Sequence, residues 1–206
     1  MHNINAQRLK KCPTLARISP LLIKLIMILY AMMQPSFNSF YLVILAFSTS
    51  LLNAFLKYVI IKPLYKWSGN NNLFLLGSGE RPTGATSCNI ILDGKKATSF
   101  GMPSGHSQIA WTIGIYLVCH LINRLINNFN NNEKNSTPST VLNNIWICLS
   151  IIILFSIMIY ISYSRVYIEG CHTIQQVIIG GIIGVILGFL AFYFENDIKK
   201  GILGNS

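Results

Sequence analysis

Three short polar clusters interrupt a chain otherwise built of long apolar runs, and each carries residue types suited to phosphate chemistry. The first is Arg81-Pro82, with Lys57 and Lys62 upstream of it. The second is Gly101-Met102-Pro103-Ser104-Gly105-His106-Ser107-Gln108, directly ahead of an apolar stretch. The third is Ser164-Arg165, followed by His172 at the head of another apolar stretch. Pro103-Ser104-Gly105 reads as a helix start, where proline is tolerated and unpaired N–H groups point outward; such a start receives a phosphate through its amides and dipole. Gly105 lets backbone come close to a ligand, and Ser104 adds a hydroxyl donor. Arg81 and Arg165 bring planar guanidinium forks that match phosphate oxygens. Of the two histidines, one can attack phosphorus while the other protonates the leaving oxygen. Gln176, four residues after His172, is one helical turn on; its amide oxygen can accept from His172 Nδ1–H and fix the tautomer.

Each cluster alone is weak evidence, since a histidine or arginine at a membrane interface is ordinarily an anchor. Their weight comes from the elements that must position them. The chain has 206 residues, of which 52% are hydrophobic and only 11% charged, where a soluble domain carries about 25% charged residues. That deficit excludes a disordered chain and a coiled coil and points to one integral membrane domain spanning 1–206, all-α. Five segments have transmembrane length: 18–34, 39–61, 107–126, 142–163 and 173–194. Lys24 and Pro20 make the first the weakest. Because spans alternate sides, the N-terminus, loop 62–106 and turn 164–172 share one face, and all three clusters lie on it. The Asn-rich stretch 127–141 reads as a flexible connection.

The net charge of +10 is scattered between apolar runs, with no nucleic-acid motif, so anionic lipid or a phosphorylated substrate is the expected partner. Five cysteines, Cys12, Cys88, Cys119, Cys148 and Cys171, lack metal-type spacing. Cys119 and Cys148 fall in apolar runs as expected core residues, while Cys88 and Cys171 lie near the polar clusters and can pair only if that face is oxidising. Gly180, Gly184 and Gly188 continue every fourth position from His172 and Gln176, a pattern that permits close helix packing behind the His172 face.

Together, the clusters resemble the signature of the type 2 phosphatidic acid phosphatase superfamily: K-x6-R-P, then P-S-G-H, then S-R-x5-H-x3-D. The second motif is present as Pro103-Ser104-Gly105-His106, and the third as Ser164-Arg165 through His172 to Gln176. Gly101-Met-Pro-Ser-Gly-His-Ser-Gln108 and His172-Thr-Ile-Gln-Gln176-Val177 resemble the dolichyl-diphosphatase branch, in which glutamine replaces the usual aspartate. Three departures stand out. Six residues rather than five separate Arg165 from His172, five spans replace the common six, and position 74 is Phe rather than Lys. Leu56-Lys57 through Lys62-Pro63 resembles the start of the first motif, with Lys57 favoured as its lysine and Lys62 the alternative.

The resemblance implies a membrane lipid phosphatase acting on a polyprenyl diphosphate without metal or cofactor. In it His172 is the nucleophile, His106 the proton donor and Gln176 the orienting residue, while Lys57, Arg81, Ser104, Gly105 and Arg165 hold phosphate. A phosphatidate or diacylglycerol pyrophosphate phosphatase is the second expectation, and a non-catalytic lipid-binding or scramblase-like protein the third. The resemblance implies the endoplasmic reticulum or another internal membrane, with a lumenal site. The Lys and Arg excess on the clustered face points instead to the cytosol, with the sequon Asn135-Ser-Thr137 on the other side.

Overall fold

The computed structural model describes the chain except for residues 1–13, 70–71, 74–75, 86, 88–96, 98, 133–137 and 205–206. Cys12, Phe74, Cys88 and the sequon at Asn135 lie outside the described residues. Five helices are long and apolar enough to cross a membrane, over 16–33, 37–67, 105–130, 138–168 and 174–202. All five expected spans are present, most of them longer than the apolar runs alone imply. The excess is interfacial sequence, which stays helical because helix is the form that satisfies its own backbone.

Helix α1 covers Thr14–Met33 and ends before Pro35. Helix α2, Phe37–Phe55, starts at a reciprocal cap in which Ser36 Oγ accepts from Ser39 N and Ser39 Oγ from Ser36 N. It runs through a π turn, Leu56–Ile61, into the short α3, Lys62–Trp67. A two-stranded antiparallel ribbon follows, β1 Asn72–Leu73 against β2 Gly77–Ser78, with Leu73 opposite Gly77. Helices α4, Gly105–Asn132, and α5, Pro138–Tyr163, come next. A second π turn, Ser164–Ile168, leads to α6, Ile174–Leu203. π turns insert one extra residue and gather at functional positions. Here one carries Lys57 and the other Arg165.

The bundle is sorted for lipid rather than water. Trp146, Ile152 and Ile153 of α5 are exposed, whereas Thr49, Asn53, Ser107, Gln108 and Thr112 are buried between helices. Cys148, expected in the core, is exposed among those lipid-facing residues; Cys119 is half-buried. The apolar centre is Leu42, Ala46, Ile109, Ile113, Tyr116 and Ala191. At the end remote from the polar clusters, His120 Nε2 lies 2.7 Å from Glu195 Oε2 and joins α4 to α6. Lys24, the charge that weakened the first span, places its Nζ 5.0 Å from the Phe47 ring centroid.

Helices α4 and α6 meet backbone to backbone. A Cβ at Gly180, Gly184 or Gly188 would stand 2.5 Å from the carbonyl oxygen of Ser104, Gln108 or Thr112 respectively. The glycine ladder is therefore a groove for α4. Gly184→Ala is expected to force the two helices apart and cost about 1–3 kcal/mol, an overpacking penalty. Thermal unfolding in detergent checks this, and an unchanged midpoint would mean that the groove has slack.

Candidate active site

At one end of the bundle the structure brings together Lys57 from the first π turn, Arg81 from the connection, Ser104, Gly105 and His106 at the head of α4, Arg165 from the second π turn, and His172 and Gln176 before and within α6. The six-residue spacer between Arg165 and His172 is absorbed by the π turn and by Gly170 at φ 59°, a conformation glycine adopts without strain. Cys171 lies in that spacer and is disulfide-bonded, while Cys88, the partner weighed for it from the sequence, lies outside the described residues.

His172 does not begin α6. It precedes Thr173, the N-cap, whose side chain accepts from Gln176 N. Gln176 folds back to this cap, and its amide is pinned at both ends. Its Nε2 donates to the carbonyls of Ser78, at 2.9 Å, and Glu80, at 2.6 Å. Carbonyls only accept, so the nitrogen must face them and Oε1 must face His172 Nδ1, 2.9 Å away. An acceptor there requires Nδ1 to carry the proton. The Nε2 lone pair is left unprotonated, with Arg81 Nη1 at 3.4 Å. Gly101 lies against this amide, where a Cβ would stand 2.5 Å from Gln176 Oε1, so its lack of a side chain makes room for the orienting residue.

Arg81 is held by Ser99, whose carbonyl accepts from Nε at 3.1 Å and whose hydroxyl accepts from Nη2 at 2.9 Å, and by the Cys171 carbonyl, 2.9 Å from Nη1. Burial lowers its pKa from the ordinary arginine value. Arg165 is fully buried; its Nη2 donates to Glu169 Oε1 at 2.6 Å and to the Ala16 carbonyl. Lys57 is 8% exposed, whereas Lys62 is exposed with its Nζ 6.0 Å from the Tyr58 ring. Burial supports Lys57 over Lys62 as the residue facing the site. Ser104 Oγ is fully buried without a hydrogen-bond partner among the described residues, an orphan donor at the head of α4.

Two contacts at the head of α4 lie beyond what spacing alone could show. The Ser104 amide is not free for a ligand, because it donates to the Gln176 carbonyl at 3.0 Å. The amides that start the helix from Gly105 onward are those a phosphate can use. Gly105 also makes room for Asn53: a Cβ would stand 2.9 Å from Asn53 Oδ1. Asn53 Nδ2 in turn donates to Gln108 Oε1 at 2.7 Å.

Burial holds the His172 pKa well below the ordinary 6.5; Arg81 adds to this, the Gln176 hydrogen bond opposes it, and Lys57 and His106 add lesser repulsion. The neutral imidazole is therefore the resting form. It persists as pH falls past 6.5 and is lost only when pH passes the depressed folded value. The acid limb of kcat/KM is expected below that of an ordinary histidine, read from a pH profile of the free enzyme. A limb at or above 6.5 would mean that a different group sets it.

Sequence reasoning missed Glu169, Ser99, Asn53 and the backbone of Ala16 and Arg17. Glu169 had a signal, being a carboxylate inside the Arg165–His172 spacer of a chain with only 6 acidic residues.

A family model described as the PAP2 superfamily matches residues 37–200. Dolichyldiphosphatase 1 of Homo sapiens is 33% identical over 101 residues, which are 49% of this chain and 39% of that protein. The Callithrix jacchus and Mus musculus proteins of the same name are 33% and 32% identical over the same length. The match thus spans about two-fifths of the length of these curated relatives. No solved structure matches the chain.

Proposed function

Because this chain belongs to the PAP2 superfamily, we propose that it is a membrane phosphatase that removes the terminal phosphate of a polyprenyl diphosphate through a phosphohistidine. The observation that carries the reading is the Gln176 amide, pinned so that His172 presents a bare Nε2 beside Arg81. In the first step the Nε2 lone pair attacks the terminal phosphorus. The bond from phosphorus to the bridging oxygen breaks, and His106 gives that oxygen a proton as the prenyl monophosphate leaves. In the second step water attacks the phosphohistidine, its proton passes to His106, and inorganic phosphate departs from a restored imidazole. Gln176 holds Nδ1–H throughout, while Lys57, Arg81, Ser104 Oγ, the Gly105 amide and Arg165 carry the equatorial oxygens.

His106 Nε2 is 3.1 Å from the Arg17 carbonyl and must donate to it, so in this scheme the ring enters the first step as the imidazolium, gives up its Nδ1 proton to the bridging oxygen and recovers it from water in the second. No step in this scheme requires a metal. The prenyl substrate is supported by the likeness to the dolichyldiphosphatases, and it implies an internal membrane such as the endoplasmic reticulum.

Phosphate release by the detergent-solubilised chain tests the reading, with EDTA present and polyprenyl diphosphate and phosphatidate offered separately. Release from the prenyl substrate, lost in His172→Ala, is the expected result. Release from phosphatidate alone would keep the chemistry and overturn the substrate. No release above the mutant's background would favour a lipid-binding protein without turnover.

A further inference from the structure

Helix α1 lies outside the stretch that matches the family, which begins at residue 37, yet its first turns touch two residues of the site. Arg165 Nη2 donates to the Ala16 carbonyl, and His106 Nε2 to the Arg17 carbonyl. Carbonyls in a helix are ordinarily taken by the amide four residues on. For Ala16 that residue is Pro20, which has no N–H. A proline in a helix interior ordinarily costs a hydrogen bond; here the released acceptor lies where Arg165 needs one. Ser19 Oγ also donates to it, at 2.9 Å. A side-chain link closes the same junction: Glu169 accepts from Arg165 through Oε1 at 2.6 Å, while its Oε2 is 3.9 Å from Arg17 Nε. Glu169 is itself buried, at 3% exposure.

We propose that the first turns of α1, opened by Pro20 and clamped by Glu169, are a positioning element of the active site that holds the Arg165 guanidinium and the His106 ring in working orientation. This rests on the phosphatase reading for its effect on turnover, but the hold on Arg165 exists whether or not the chain turns over. Pro20, Arg17 and Glu169 are positioning residues, acting through Arg165 and His106.

Pro20→Ala separates this role from ordinary structural support. It returns an amide to Ala16, so α1 gains a hydrogen bond while Arg165 gains a competitor for its acceptor. The expected result is an unfolding temperature unchanged or raised, with kcat lowered about 5–10-fold. The inorganic phosphate concentration that half-saturates the rise in unfolding temperature should increase about 3–5-fold. Unchanged kcat and phosphate affinity would overturn the proposal, and so would a loss of activity that merely follows a loss of stability.

Glu169→Gln removes the counter-charge while keeping the shape. Arg165, no longer tied back, is expected to bind inorganic phosphate about 5–10-fold more tightly while kcat falls, a split that loss of folding cannot produce. Phosphate affinity that falls or stays level would count against the clamp. If the unaltered chain cleaves neither lipid, the phosphatase reading fails, and the phosphate titrations of the two variants still decide this one.

Discussion

His172→Ala is expected to lower phosphate release by about 10⁴-fold or more while leaving the fold in place. The size follows from what is removed. In the proposed scheme Nε2 is the atom that bonds to phosphorus, so its loss leaves only positioning and charge stabilisation by the surrounding cations. The fold should survive because His172 lies outside the helices, before the Thr173 cap, and the cap itself rests on Thr173 and Gln176. Rapid quenching of the unaltered enzyme with labelled substrate should trap acid-labile phosphate on protein, and the variant should trap none. Residual release above about a hundredth of the normal rate would assign the attacking atom elsewhere.

Arg165→Lys is the second large effect, with kcat expected to fall about 10²–10³-fold and KM to change little. Lysine keeps the positive charge opposite Glu169 but has neither the planar fork nor the reach to serve Ala16, Glu169 and a phosphate oxygen together. Arg165→Ala should add a stability loss of about 3–5 kcal/mol, because it strands the buried Glu169 carboxylate without its guanidinium. Measuring kcat, KM and unfolding temperature for both variants separates geometry from charge. Near-normal kcat in the lysine variant would show that charge alone suffices at this position.

The pairing of His172 with Gln176 was open to sequence reasoning because it needs only residues four apart and a helix about to begin. The reason for its direction was not. The amide is oriented by the carbonyls of Ser78 and Glu80, which reach it from the ribbon side of the long connection. The Arg165 motif was likewise visible, while its clamp depends on α1, about 150 residues away in sequence. Pro20 was legible only as a blemish on the weakest span, since the use of a freed carbonyl depends on what packs beside it. Lys57 and Lys62 were indistinguishable by type, but Lys57 lies buried in the π turn after α2, which periodicity does not announce, while Lys62 opens α3 and is exposed.

By itself the sequence determined the five spans, the single face that gathers the polar clusters, and the residue types that meet a phosphate. These follow from composition, apolar length and the alternation of sides, which are properties of segments taken one at a time. Tertiary structure alone decided which atoms point where: the tautomer of His172, the nitrogen His106 keeps free, the partners of Arg165 and the tenant of the space beside Gly105. Hydrogen-bond direction is set by neighbours distant in the chain, and local spacing carries no record of them.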